Sequence, residues 1–209
     1  MKTVLNEYKA EQLLKKNLPI SRNVLVKNKK ELKKIKLKFP IVLKIISNQA
    51  LHKTEIKGIQ VVNNKNNLEE SYKKLINIAN RKKLKIDGIL AQEFQEGLEL
   101  IIGIKKDPTF NHIIVFGIGG IFTEILKDVS IRKCPIRIED ADEMINEIKS
   151  KKVLQGARNK KYNLNALKKI LVKLSHLPKK YPQIKDLDIN PLILNEKNAI
   201  VVDARIVME

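Results

Sequence analysis

Asp188, Asn190 and Asp203 put two carboxylates and an amide oxygen into the last part of the chain, in the run DLDINPLILNEKNAIVVDAR over 186–205. Two stretches rich in Ile, Val and Leu flank the polar break Asn195-Glu196-Lys197-Asn198, which predicts a β-hairpin. A turn centred between Glu196 and Lys197 makes Asn190 face Asp203. Side chains alternate along a strand, so Leu187, Ile189, Ile193, Ile200, Val202, Ala204 and Ile206 are expected on a core face. Asp188, Asn190 and Asp203 then share the other face, within cross-strand reach of one another. Hard oxygen ligands of this kind suit Mg²⁺ held against phosphates. The same residues would equally suit a polar hairpin face turned to water.

Three further places carry chemistry-capable groups. Lys44 interrupts the apolar run Ile41–Ile46, so it either snorkels to the surface or points into a cleft where an anion compensates it. His52-Lys53-Thr54 sits in a polar loop over Ser47–Glu55, where a surface histidine is the plain reading. Gly117-Ile118-Gly119-Gly120 ends an apolar strand; glycines there let backbone N–H groups approach an anion, although a tight turn needs no more than that.

The elements that must position these groups follow from periodicity. Asn6–Lys16 has the spacing of an amphipathic helix, Asn23–Val26 and Ile41–Ile46 read as strands, and Gly58–Val62 returns as a third. The lysine-rich run between them, KNKKELKKIKLK over 27–38, keeps Leu32 and Ile35 at helical spacing and predicts a solvated helix. From Asn67, Leu68, Tyr72, Leu75, Ile76 and Ala79 mark a helix that closes a first α+β lobe near Lys85. Strands over 88–94 and 98–105 open a second lobe. Helices over Glu139–Lys152 and Asn163–His176 provide its scaffold. Gly103, inside the second of those strands, is expected as a bulge or a close approach to a ligand.

Composition narrows the class. The chain of 209 residues has 42 Lys plus Arg against 23 Asp plus Glu, a net charge of +19 that would attract nucleic acid, a nucleotide or coenzyme A. Aromatics make up only 4%, which leaves few platforms for stacking single-stranded bases. The lysine excess runs along the whole chain with Asn and Ile, so a basic nucleic-acid-binding module is the weaker reading. A single cysteine, Cys134, excludes an internal disulfide and a cysteine-based zinc cluster. No apolar run reaches membrane-spanning length and no signal-like segment opens the chain, so a cytoplasmic location is expected.

These motifs, taken in order, resemble the ATP-grasp (β) subunit of ADP-forming acyl-CoA synthetases. VLKIISNQALHKTEIKGIQV over 42–61 is similar to that family's VLKxxSPxxxHKSDxGGVxL. The match continues through GLELIIGIKKDPTF over 97–110, FGIGGIFTEILKDVSIRKCP over 116–135, DINPLIL over 188–194 and VDARI over 202–206. The resemblance implies an α+β, ATP-grasp fold, a single domain over 1–209 in which lobes 1–87 and 88–209 grip a nucleotide between them. It implies ATP/ADP and Mg²⁺ as cofactors. Lys44 would then contact phosphates, with Lys53, Arg132, Gly119 and Gly120 around them. Glu93 and Phe94 would lie alongside the adenine, and Glu99 would accept the ribose hydroxyls. Asn190 and Asp203 would bind the metal, with Asp188 beside them as a catalytic carboxylate. His52 would carry a phosphoryl group between a phosphohistidine on a CoA-binding α subunit and ADP, within a hetero-oligomer expected to be α2β2. The family's other relatives leave a succinate–CoA ligase β chain or a carboxylate–amine ligase as alternatives. Two departures stand out: Lys57 replaces the first glycine after the His-Lys loop, and Asn111-His112 replaces the Gly-Pro that follows Asp-Pro-x-Phe.

Overall fold

The computed structural model describes residues 3–49, 56–120, 128–156 and 160–209. His52 and Lys53 lie outside the described residues, so the positions expected for them are not set by it. The chain divides into two compact units, one of Met1–Leu5, Lys9–Ile20 and Glu96–Glu209, the other of Asn6–Tyr8 and Ser21–Gln95. This corrects the expected lobes: the strand after Lys85 belongs with the first sheet, and the chain's start belongs with the larger unit.

The smaller unit is an antiparallel sheet in the order β2 (Asn23–Val26), β5 (Gly88–Glu93), β3 (Ile41–Ile46), β4 (Ile59–Val62). One face takes helix α3 (Leu68–Arg81), whose Leu68, Tyr72, Leu75 and Ala79 join Ile41, Leu43, Ile45 and Val62 in one core. Each fully buried aliphatic side chain there contributes about 2 kcal/mol. Periodicity locates this helix well because its apolar stripe is strong. The lysine-rich run is different: only the single turn α2 (Lys29–Leu32) is helical, with Leu32 buried and Asn28 capping it. One turn is what a run with so few apolar anchors supports.

The larger unit is a seven-stranded sheet, β1 (Thr3–Leu5), β11 (Ala204–Met208), β9 (Ile184–Leu194), β6 (Leu98–Asp107), β7 (Asn111–Ile118), β8 (Val129–Lys133), with β10 (Ala199–Val201) paired to β9. Every pairing between these described strands is antiparallel. Helices cover one face. Leu14 of α1 (Glu7–Leu14), Ala141 and Met144 of α4 (Ile138–Glu147), Leu154 of α5 (Lys151–Leu154), and Leu167 and Leu171 of α6 (Leu164–Ser175) pack on Leu100, Ile102, Ile114, Phe116, Leu187 and Ile189. Among the described residues no helix is long and apolar enough to cross a membrane.

Lys57 and Asn111 both adopt left-handed backbone conformations, at φ 55 and φ 66. These are the positions where the resembled family has glycine, which enters that region without penalty. Asparagine tolerates it better than lysine does. Lys57→Gly is therefore expected to raise stability by about 1 kcal/mol, and Asn111→Gly to change it by only a few tenths, read as shifts in urea midpoint.

Candidate functional site

The terminal hairpin has the register expected from its turn. Ile189 pairs with Ala204, Asp188 with Arg205, Leu192 with Val201 and Leu194 with Ala199. Asn190 accordingly faces Asp203: its N–H donates to the Asp203 carbonyl at 3.2 Å, and the Val202 N–H donates to Pro191 at 3.3 Å. What alternation missed is a change of face. Leu187, Ile189, Ala204 and Ile206 point into the core, but so do Leu192, Leu194, Ala199 and Val201. Asn190-Pro191 on one strand and Val202-Asp203 on the other separate these two sets of core positions. Ile193, Ile200 and Val202 therefore do not belong to the core face on which alternation puts them, and none joins that core cluster.

Proline explains the interruption, since it has no N–H to give to the neighbouring strand. On β6, Leu100 pairs with Leu192 while Ile102 pairs with Ile189, so Ile101 alone opposes Asn190-Pro191. This is a β-bulge, which re-aims side chains where pairing breaks. Asn190 is exposed and Asp203 half-buried at this break. Among the described residues no three His, Cys, Asp or Glu side chains cluster as a metal site. A carboxylate and an amide oxygen on opposed residues nevertheless fit Mg²⁺, which is commonly bound through one or two protein groups, with substrate phosphates and water completing its shell.

The same open face continues along β6. Core residues Leu100, Ile102 and Ile104 alternate with Glu99, Ile101, Gly103 and Lys105, which point the other way. Glu99 opposes Ile193, and Gly103 opposes Asp188. Glu99, Asn190 and Asp188 thus follow one another on one face, with about 7 Å for every two residues of strand. The Glu99 carbonyl accepts the Gly119 N–H at 2.7 Å, which holds the end of β7 against the start of β6. A Cβ at Gly119 would stand 3.1 Å from that carbonyl oxygen. Gly120 has φ +85, and among the described residues nothing lies within 4 Å of its missing Cβ. Asp188 is exposed, yet the protein packed around its carboxyl raises its pKa; Asp186 adds to this and Arg205 opposes it.

Arg132 is not part of this face. It pairs with Ile114, a core-side position, and donates to Glu147 at 2.8 Å and to Glu143 at 3.5 Å, both on α4. These carboxylates, Glu147 first, raise its pKa further. The expected phosphate contact at Arg132 is replaced by a sheet-to-helix ion pair.

The smaller unit's candidates are anchored within it. Lys44 is 6% exposed and lies on the face of β3 opposite α3, where its Nζ meets Glu7 Oε1 at 2.6 Å. The anion that compensates it in this structure is a carboxylate of the chain itself. Glu93 is committed too: its N–H donates to Arg22, its carbonyl accepts from Ser21 at 2.7 Å, and its carboxylate accepts the Lys38 N–H at 2.9 Å. The Phe94 N–H donates to Pro40, and the ring is 45% exposed. Glu93 is thus held in place by three hydrogen bonds, and an exposed apolar ring stands beside it.

Comparison with known proteins follows the same order of parts. The ATP-grasp domain family matches residues 1–208. This chain belongs to the ATP-grasp domain family. Within that family it stands with the β subunits of ADP-forming acetate–CoA ligases. It is 39% identical over 212 residues to the acetate–CoA ligase [ADP-forming] I subunit beta of Pyrococcus furiosus, a match covering 98% of this chain and 91% of that one. The acetate–CoA ligase [ADP-forming] of Methanocaldococcus jannaschii is 41% identical over 216 residues; that match covers 97% of this chain but 30% of the larger protein. Among solved structures, acetyl-coenzyme A synthetase 1 of Ca. Korarchaeum cryptofilum, in complex with coenzyme A, Ca-AMPCP and HgCl+, superposes with a TM-score of 0.95 at 34% identity. That superposition covers 99% of this chain and 93% of that one.

Two measurements check the electrostatics of this ATP-grasp chain. Removing one member of a buried ion pair costs about 3–5 kcal/mol, whereas replacing both with apolar groups costs far less. Glu7→Gln should therefore destabilise the chain much more than the double variant Glu7→Leu with Lys44→Met in urea titrations. Burial pushes the Cys134 thiol up to about 12, so its nucleophilic form is scarce near neutrality. Iodoacetamide at pH 8 should label the native chain at least tenfold more slowly than the urea-unfolded chain.

Proposed function

We propose that this chain is the nucleotide-binding β subunit of an ADP-forming acetate (acyl)–CoA ligase, making ATP from ADP, phosphate and an acyl-CoA together with a CoA-binding α subunit. The observation that carries the reading is the opposition of Asn190 and Asp203 at a paired break in the terminal hairpin, on the same open face as Glu99. The relatives add support. Acetyl-coenzyme A synthetase 1 of Ca. Korarchaeum cryptofilum is described with coenzyme A and Mg-AMPPCP, its phosphohistidine segment pointing towards the nucleotide binding site.

In this reading Asn190 and Asp203 hold Mg²⁺, which neutralises charge on the phosphates. Glu99 accepts the ribose hydroxyls, and the half-buried Ile101 beside it gives the nucleoside an apolar surface. Gly119 and Gly120 bring backbone close to phosphate. Lys44, oriented by Glu7, supplies positive charge from the smaller unit. Lys53 adds to it, and Phe94 offers its ring to the adenine. His52 is the carrier. A neutral imidazole nitrogen is a competent nucleophile near pH 7, and the N–P bond it forms is readily broken again. On transfer, a β-phosphate oxygen of ADP forms the new P–O bond while the N–P electron pair returns to the ring. The ring's other nitrogen carries a proton, so neutral imidazole leaves, and Asp188 accepts that N–H. Such transfers through loose transition states depend on positioning and on cations.

The α subunit supplies the CoA site and the first phosphohistidine, so the working enzyme is a hetero-oligomer, with α2β2 the expected stoichiometry. The decisive experiment runs the last step backwards. Incubation with γ-labelled ATP and Mg²⁺ should place acid-labile, alkali-stable phosphate on the chain, and His52→Ala should abolish it. Undiminished labelling of His52→Ala would remove the carrier role and return the reading to a ligase that works through an acyl phosphate.

A further inference from the structure

Positive charge is unevenly spread along this chain. Residues 21–95 hold 18 Lys plus Arg against 6 Asp plus Glu, which is +12 of the whole chain's +19. Seven of those lysines fall in 27–38, around the single helical turn α2. Among the described residues only Lys29 of the seven has a carboxylate partner, Glu69 in the first turn of α3. The other six ammonium groups meet no acid of the described chain.

Beside this run lies a cavity of about 290 Å³ lined by Leu32, Lys33, Lys65, Leu68 and Glu69. Leu32 closes α2, Lys65 opens the short turn before α3, and Leu68 and Glu69 begin α3 itself. All five belong to the smaller unit. Leu32 and Leu68 are 2% and 6% exposed and join that unit's core, so they form an apolar floor. The one acid on the rim is already engaged. Glu69 is ion-paired with Lys29 and, at 3.5 Å, with Lys73, and the hydrogen bond from Lys29 holds its carboxyl below its ordinary value. Lys33 and Lys65 have no such partner among the described residues. What the rim offers is two uncommitted cations above a hydrocarbon surface.

That combination selects among ligands. A bare phosphate gains nothing from the floor. Single-stranded nucleic acid is held by stacking on aromatic rings and by the flat guanidinium of arginine, and neither residue type lines the recess. A bilayer surface is gripped by apolar side chains that protrude into it, whereas both leucines here are sunk. Small-molecule pockets begin at roughly 300 Å³, so this space has the size for a single apolar side chain. Protein interfaces are anchored in that way, by one side chain seated in a pocket within a ring of polar contacts. The charge of the partner follows from the lysines, which draw an acidic segment in and repel a second copy of this basic chain.

We infer that this recess of the smaller unit docks an acidic segment of a protein partner, one apolar side chain of which seats on Leu32 and Leu68 while neighbouring carboxylates meet Lys33 and Lys65. The inference does not depend on the nucleotide reading, in which none of these five residues takes part.

The test uses the full chain and a fluorescein-labelled peptide of glutamates with one central leucine, followed by fluorescence anisotropy, with folding checked by thermal melting. The wild-type chain should bind this peptide at least tenfold more tightly than the same peptide with serine in place of leucine. Lys33→Glu with Lys65→Glu should weaken binding at least tenfold, and Lys33→Arg with Lys65→Arg should leave it within threefold. Lys15→Glu with Lys16→Glu makes the same change of net charge at two exposed lysines of the larger unit, and should leave binding within twofold. Equal affinity for the leucine and serine peptides, or no binding of either, would overturn the inference on the wild-type chain alone, whatever the folding of the variants. So would equal weakening by the two glutamate pairs, which is the behaviour of a chain that attracts anions everywhere. Oligouridylate or phosphatidylserine vesicles that bind more tightly than the leucine peptide, and are released by Lys33→Glu with Lys65→Glu, would overturn it in favour of a nucleic-acid or membrane surface.

Discussion

Where β9 runs beside β10 and β11, two residues intervene between core positions on both sides of the hairpin, and the two interruptions lie opposite each other. Pro191 cannot donate to β6, so the ladder breaks there; the facing strand breaks with it, and the hairpin keeps its register throughout. The core is continuous on either side because each strand changes face by the same amount. The consequence is local and chemical: Asn190 and Asp203 are brought side by side without any long loop. A site built on strands in this way is held by the sheet and needs no separate scaffold.

The same logic separates used from unused positive charge. In a chain of net charge +19 almost any lysine or arginine is a nominal phosphate ligand, and geometry has to choose. Lys44 has a carboxylate partner at 2.6 Å in the interior of the smaller unit, and Arg132 is bound to two glutamates of α4. Arg205, unremarkable by composition, stands on the open face directly opposite Asp188. Burying an ammonium is tolerable only when a carboxylate meets it, so the Glu7–Lys44 pair fixes where that lysine points.

Much of this was legible in the residues. The terminal register followed from a four-residue polar turn, β2 and β3 followed from their apolar runs, and α3 followed from its stripe. Motifs in series identified the ATP-grasp fold, because each group in them had a reason to be where it was. Three things were not legible. The face change at Asn190-Pro191 was missed because strict alternation assumes an unbroken ladder, although the proline was its signal. The commitment of Arg132 was missed because a side chain's partner on a distant helix leaves no mark in its own strand. The reach of the first sheet to β5 was missed because strands 88–94 and 98–105 read alike, and only pairing with β2 and β3 assigns the former to the smaller unit. Gly103 was expected as a bulge or as a close approach to a ligand; it pairs in register with Val115 and Asp188, the bulge lies between Leu100 and Ile102, and only ordinary contact distances surround the place of its missing Cβ.

The claim on which the account turns is that Asn190 and Asp203 together hold a divalent cation against nucleotide phosphates. Electron paramagnetic resonance of Mn²⁺ in the presence of ADP measures this directly, because the sharp signal of the aquo ion is lost on binding to the protein. The account predicts a ternary complex in the wild-type chain and at least a tenfold weaker one in both Asn190→Ala and Asp203→Ala, with the fold unchanged. Mn²⁺–ADP binding of wild-type strength in both variants would contradict it.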